Sequence, residues 1–437
     1  MLSLLAAGLI LGLFHMPVRA EDTPAPTPDP STFAAEQLPQ ITSDYAYLVD
    51  ADSGQVLYDK NSQDRIYPAS MTKLMTLILA IENLPDTSQK VLITAQMLAG
   101  LNAANASQAG FQEGDEPTVL DLMYGDLLPS GADCSRALAY TIAGGEDGYV
   151  EMMNAKAAEL GMNDTHFVNT TGLHDDNHYS TCRDIAVLLK YCLQNALFRQ
   201  IFATEKYVST PVLHFPDGLP MESLVLRYLN GTGSDGYSFS IPGLLGGKSG
   251  FTNLALFCLA SAADINQMTL ILITAHSWVG NSYPSHIEDA ADLYSYFRSG
   301  YSRQTLYTAG QQLASVKIRD SLPAETETVA VSSDITLDLP SSENVHVVSS
   351  LPESIDAPVQ KGDYLGSLDI YAYDKAVYHE DFYAAESHSR SLPAYLYRRT
   401  AEFLKANPLA AAACALLVLL LVLLKALVRP RSRRRRR

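Results

Sequence analysis

Pro68-Ala69-Ser70-Met71-Thr72-Lys73 runs straight into Leu74-Met75-Thr76-Leu77-Ile78-Leu79-Ala80, and this stretch governs how the rest of the chain is read. The unbroken apolar run after Lys73 predicts a buried helix. Helical residues three apart share a face, so the Lys73 amine is within reach of the Ser70 hydroxyl. With Ser70 in the first turn, free backbone N–H groups and the positive end of the helix dipole point at its oxygen. Serine acyl transfer requires this combination of nucleophile, base and oxyanion stabilisation. A lone Ser-x-x-Lys is most often a solvated helix face. Here it is the only one in the chain, and two further elements follow in order: Pro129-Ser130-Gly131, then Gly246-Gly247-Lys248-Ser249-Gly250-Phe251-Thr252.

The ends of the chain bound its location. Residues 1–20 are apolar from Leu4 to Phe14 and close with Val18-Arg19-Ala20 before Glu21-Asp22, the pattern of a signal peptide with a small-residue cleavage site. The run is short for a bilayer span. Residues 21–37 form a proline-rich linker, Thr23-Pro24-Ala25-Pro26-Thr27-Pro28-Asp29-Pro30 at its centre. Residues 408–428 have the length and composition of one membrane-spanning helix, and residues 429–437 are a basic tail. The positive-inside rule keeps that tail cytoplasmic, so the expectation is a single-pass cell-membrane protein whose catalytic domain is extracytoplasmic.

The net charge of −17 hides an asymmetry, because residues 1–20 and 408–437 hold nine basic and no acidic residues. Between residues 21 and 407 there remain 22 basic against 48 acidic residues, a net of −26. Such a surface repels phosphate backbones, so no nucleic-acid partner is expected. Cys414 lies in the apolar span; Cys134, Cys182, Cys192 and Cys258 show no CxxC or metal-like spacing. An exported protein could pair them; the apolar surroundings of Cys192 and Cys258 favour free buried thiols, and no metal site and no cofactor are expected.

Between these ends the chain divides by pattern. Ala46–Val49 and Gln55–Tyr58 flank the turn Asp50-Ala51-Asp52-Ser53-Gly54 and read as a hairpin. Helical patterns follow, clearest at Leu120–Leu128, Ser135–Ala143 and Arg183–Leu197. Strands resume at Ala255–Ala260 and Met268–Ala275, and a helix closes the region at Ile287–Phe297. This describes an α+β catalytic domain over residues 38–300, with helices packed on an antiparallel sheet. Short strand-like runs separated by Pro, Gly, Asp and Ser make residues 301–390 a small all-β domain. Residues 391–407 fit an amphipathic helix leading into the C-terminal membrane helix.

Taken together, these motifs resemble the serine D-alanyl-D-alanine carboxypeptidases, the low-molecular-weight penicillin-binding proteins of the peptidase S11 type. The resemblance rests on Ser70-Met71-Thr72-Lys73, Ser130-Gly131 and Lys248-Ser249-Gly250. It extends to His166-Phe167-Val168-Asn169, Thr171-Gly172-Leu173 and Tyr179-Ser180-Thr181 before Arg183-Asp184. It implies a β-lactamase/transpeptidase-like fold. It implies a substrate too, the peptidoglycan stem peptide ending in D-Ala-D-Ala, and β-lactam antibiotics as acylating partners. By this resemblance Ser70, Lys73 and Ser130 are catalytic, Ser130 relaying a proton to the departing amine. Lys248 and the Ser249 hydroxyl hold the substrate carboxylate, and Gly250, Phe251 and Thr252 complete the strand beside which the peptide docks. The N–H groups of Ser70 and Phe251 form the oxyanion hole. A lysine base must be neutral near pH 7, which burial and the nearby charge of Lys248 are expected to favour.

One position departs from the pattern. Where the family motif has Asn two residues after its serine, which by the resemblance donates to the substrate's amide carbonyl and helps orient the lysine, this chain has Ala132, followed by Asp133 as a candidate substitute. Losing one such hydrogen bond to the reacting peptide costs about 1–3 kcal/mol. Two other readings therefore stand beside the carboxypeptidase. A serine β-lactamase would draw its second base from Glu159-Leu160-Gly161-Met162-Asn163, and a non-catalytic peptidoglycan-binding homologue would follow from Ala132. His174 and His178, with Asp175 or Asp176, admit a Ser-His-Asp arrangement, although Lys73 already occupies the place of the base.

Overall fold

The computed structural model describes residues 28–229, 236–280 and 283–427. The leader read at residues 1–20, part of the proline-rich linker and the basic tail at 429–437 lie outside the described residues. Two compact units emerge among the described residues: one lies within residues 36–305 with 336–343, the other holds residues 28–35, 306–335 and 344–427.

The larger unit is built on a five-stranded antiparallel sheet. Its strands are β1 (Tyr45–Asp50), β2 (Val56–Lys60), β3 (Leu244–Thr252), β4 (Leu256–Ile265) and β5 (Met268–Ser277), in the order β2-β1-β5-β4-β3. Both faces of the sheet are covered, so its central strands are apolar nearly throughout. Along β5, Ile271, Ile273 and Ala275 enter one core while Leu270 and Leu272 enter the other, the period-two alternation of a strand. The first core packs against a helical layer. This layer comprises α1 (Lys73–Asn83), α2 (Val119–Leu127), α3 (Ala132–Ala143), α4 (Glu146–Glu159), α5 (Cys182–Cys192) and α6 (Ala196–Phe202). The second core packs against α7 (Ser285–Gly300), with Val225, Tyr228 and Ile241 joining it.

Helix α1 is the axis of the layer: every residue from Lys73 to Ala80 is buried. That explains its uninterrupted apolar sequence, since a helix surrounded by others has no solvent face to pattern. Its neighbours begin at recognisable caps. Thr118 and Asp121 form a reciprocal capping box at α2, and the Thr181 hydroxyl accepts from Asp184 N at α5. The helix expected over Arg183–Leu197 is two helices. α5 stops at Cys192, and Asn195 caps α6 by accepting from Leu197 N and Phe198 N, a local bond that competes with helix continuation.

In the smaller unit, strands Gln312–Arg319, Glu325–Ala330 and Ser354–Asp356 form one sheet, and Val345–Ser349, Tyr364–Ala372 and Lys375–Tyr383 another. Lys375–Tyr383 escapes sequence reading because its exposed edge is mostly polar. His388 joins the first sheet, with Glu325 and Glu327 each 2.7 Å from a ring nitrogen. Helix Leu392–Ala406 is tied to this unit by Arg398, which donates to both oxygens of Asp320 at 2.8 Å. Helix Pro408–Leu427 follows. Among the described residues it alone is long and apolar enough to cross a membrane. Cys134, Cys182, Cys192 and Cys258 are free and buried, and among the described residues no group of His, Cys, Asp and Glu could hold a metal ion.

Candidate active site

Ser70 does not lie in the α-helix itself. It sits in a 3-10 turn, Ala69–Thr72, that feeds α1. The turn begins with strain: Ala69 adopts φ +45°, a left-handed conformation that L residues avoid. Close packing on both sides holds it there. A Cβ on Gly172, itself at φ +81°, would lie 1.9 Å from the Ala69 carbonyl oxygen. A Cβ on Gly250 would lie 2.8 Å from Ser70 N and 3.0 Å from Ala69 Cβ. Glycine at 172 and 250 is thus what lets loop and edge strand β3 clasp the Ala69–Ser70 peptide.

The candidate base, Lys73, follows one turn later. Lys73 Nζ is 3.3 Å from Ser70 Oγ and donates to the Thr171 carbonyl at 2.6 Å. Asn169 fixes that carbonyl in place, its Oδ1 accepting from Thr171 N at 3.1 Å and Gly172 N at 2.8 Å. Thr76, on the next turn of α1, donates to the Thr170 carbonyl at 2.7 Å. Thr72 adds a further tie. Val168 N–H donates to His178 Nδ1 at 3.1 Å, so the proton sits on Nε2, which meets Thr72 Oγ1 at 2.7 Å. Thr72 in turn donates to the Ala69 carbonyl at 2.8 Å. His178 is therefore a buried neutral support, its pKa driven down to about 4 by burial. It does not touch Ser70, and His174 pairs outward with Asp176 at 3.3 Å; the Ser-His-Asp arrangement is not built.

Ser130 stands between α2 and α3 with φ +65°, buried, and its hydroxyl has no partner among the described residues. Buried hydroxyls are ordinarily bonded, so a free one beside a nucleophile is available to a ligand. Lys248 is buried on β3 and donates to the Ser249 carbonyl at 2.8 Å. Ser249 is half-buried, and the exposed Phe251 ring joins Phe257 and Trp278 with centroids 4.8 and 6.0 Å away. Thr252 ends the strand and accepts from Ala255 N at 3.0 Å.

The electrostatics shift Lys73 towards its neutral form. Burial lowers the Lys73 pKa to about 8, against the opposing pull of Asp126, Asp133, Cys134 and Glu146. The expectation that Lys248 supplies the lowering charge is corrected: desolvation dominates, and the mutual repulsion is felt at Lys248. Lys248 lies well below its ordinary value through burial first and the Lys73 charge second. Asp133, considered as a substitute for the missing asparagine, is committed elsewhere. Its oxygens accept from Ala109, Gly110 and Phe111 N–H groups at 2.8, 2.9 and 3.1 Å, pinning a loop. Glu159 is exposed and ion-paired with Lys156 at 2.9 Å, so the second base of a β-lactamase is not formed there.

Several contributors carried no assigned role in the sequence: Thr171, Gly172, the Thr72–His178 link and Asp126. Thr171-Gly172-Leu173 was visible as a motif, but nothing local states that a carbonyl and a missing Cβ are what it supplies.

Comparison with known proteins is consistent with this geometry. The family described as D-alanyl-D-alanine carboxypeptidase matches residues 32–277, and the penicillin-binding protein 5 C-terminal domain matches residues 301–390. The D-alanyl-D-alanine carboxypeptidase DacF of Bacillus subtilis (strain 168) is 32% identical over 78% of this chain and 85% of its own length. The D-alanyl-D-alanine carboxypeptidase of Streptomyces sp. (strain K15) is 30% identical over 59% of this chain and 88% of its own. In structure, the D-alanyl-D-alanine carboxypeptidase DacD of Francisella tularensis superposes with TM-score 0.67, covering 86% of this chain and 100% of that one, at 21% identity. The Streptomyces K15 DD-transpeptidase gives 0.53, covering 60% and 98%, at 28% identity.

Proposed function

The chain belongs to the D-alanyl-D-alanine carboxypeptidase family and is a serine hydrolase of the penicillin-binding proteins; within that activity we propose that Ser70 carries the acyl group and Lys73 is its base. Neutral Lys73 takes the Ser70 proton as Oγ attacks the carbonyl of the penultimate D-alanine. The oxyanion is held by the N–H groups of Ser70 and Phe251. Ser130 passes a proton to the departing amine, the terminal D-alanine leaves, and water hydrolyses the ester. Lys248 and Ser249 hold the terminal carboxylate, with Gly250 and Thr252 lining the strand along which the stem peptide lies.

One observation carries this reading: a buried amine 3.3 Å from a hydroxyl whose turn is clasped by the Gly-rich edge strand. The proposed substrate is the peptidoglycan pentapeptide stem, and β-lactams acylate the same serine and leave slowly. Helix Pro408–Leu427 is proposed as the membrane anchor, leaving the catalytic unit extracytoplasmic.

The test is D-alanine release from a D-Ala-D-Ala peptide by the full chain in detergent, with Ser70→Ala as control. The penicillin adduct is mapped by mass. Release that is lost in Ser70→Ala, and an adduct on Ser70, are expected. No release and no adduct would point to a binding homologue, and fast penicillin turnover to a β-lactamase.

A further inference from the structure

Asp126 lies near the end of α2 with no exposure to solvent. Its Oδ1 accepts from Ser135 Oγ at 2.5 Å, while its Oδ2 has no partner among the described residues. A buried carboxylate oxygen without a donor is rare, because the desolvation it suffers is not repaid. The charged groups facing it are Lys73 from α1, Lys248 from β3 and Asp133 from α3. The Cys134 thiol of α3 and the Tyr149 phenol of α4 also feel its charge. Two buried amines of the site thus share one acid that the acyl-transfer steps above do not use.

Its position relative to residue 132 is informative. Ser135 follows Ala132 by three residues on α3, so the two share a helix face. The carboxyl bonded to Ser135 therefore lies against the face on which the family motif carries asparagine. Ala132 offers no polar atom there, and Asp133 is spent on residues 109–111.

We propose that Asp126 is a positioning residue for acyl transfer: its carboxylate is the counter-charge to Lys73 and Lys248 and takes over the orienting part that asparagine plays at 132 in the family motif. This rests on the assignment of Ser70 and Lys73 above. Burial lifts the Asp126 pKa to about 7, opposed by both lysines, so the protonation of the acid is coupled to that of the amines. A charge at 126 favours the ammonium form of each lysine; removing it lets both deprotonate at lower pH.

The experiment is the pH profile of kcat/KM for D-alanine release by full-length Asp126→Asn, which keeps the side-chain size and the acceptor for Ser135. Both limbs of the bell are expected to move acidward by about one pH unit, a tenfold change in proton concentration. Asp126→Leu, which removes charge and acceptor together, is expected to lose roughly 100-fold in kcat/KM, and Asp126→Leu with Ala132→Asn to regain at least about tenfold. Unmoved limbs in Asp126→Asn, whether its activity is high or uniformly low, would overturn the proposal. Full release in Ser70→Ala would instead remove the assignment beneath it.

Discussion

Gly250→Ala is the sharpest probe of how the site is held. The added methyl would sit 2.8 Å from Ser70 N, 3.0 Å from Ala69 Cβ and 3.2 Å from Pro68 O. Comfortable carbon contacts are about 3.5–4.0 Å, so β3 and the serine turn must part by roughly 0.7–1 Å. The backbone at 250 is ordinary strand, so no conformational strain adds to this. Overpacking of this size destabilises by about 1–3 kcal/mol, which a domain with a core this large survives. The catalytic penalty is steeper: a misplacement near 1 Å costs about 100-fold, close to 2.7 kcal/mol of transition-state stabilisation. The assay is kcat/KM for D-alanine release and the second-order rate of penicillin acylation, beside thermal unfolding. Gly300→Ala is the control, since nothing lies within 4 Å of a Cβ there. A Gly250→Ala enzyme folded and within threefold of the parent would show that the strand does not grip the nucleophile.

Further tests address charge. Lys73→Arg should abolish acylation, because guanidinium stays protonated, and the parent's acylation rate should climb as pH rises through about 8, where Lys73 gives up its proton; a flat profile from pH 6 to 9 would contradict the lysine base. His178, with its pKa down to about 4, and His286, down to about 3, are neutral in the fold and protonate first in the unfolded chain. Their contribution is complete above pH 6.5 and is lost as pH falls towards 4 and 3, on the order of 3 kcal/mol for His178, which urea unfolding against pH will read as a slope diminished in His178→Gln. Arg303 donates to Asp338 at 3.0 Å and pairs with Asp50, both carboxylates fully buried. Arg303→Ala leaves two buried charges unpaired and should lower stability by about 3–5 kcal/mol, and a loss under 1 kcal/mol in chemical denaturation would refute it.

The closeness of Ser70 to Lys73 and the strand at 244–252 were legible because each is a local pattern with its own reason, while the roles of nucleophile and base remain the proposal made above. Ser70 and Lys73 are one turn apart, and glycines at 246, 247 and 250 announce a close backbone approach before any partner is known. The second serine was legible only as a member of an ordered set; its left-handed backbone and unpartnered hydroxyl belong to the turn between α2 and α3. The helix break at Leu193–Asn195 was missed because an asparagine cap outweighed a continuing apolar pattern. Asp126 was invisible: an acid in an apolar run reads as a solvated break until the lysines around it are placed.

By itself the order of residues determined the chemistry on offer, a hydroxyl and an amine one turn apart at the head of a buried helix, because a spacing of three residues closes about one helical turn. Only the tertiary structure decided the protonation of that amine, since its pKa follows from the water excluded by chain segments far away in sequence. The same holds for the grip on the serine turn. Gly172 and Gly250 matter because two distant segments converge on one peptide, and a convergence in space leaves no mark in the local pattern of either.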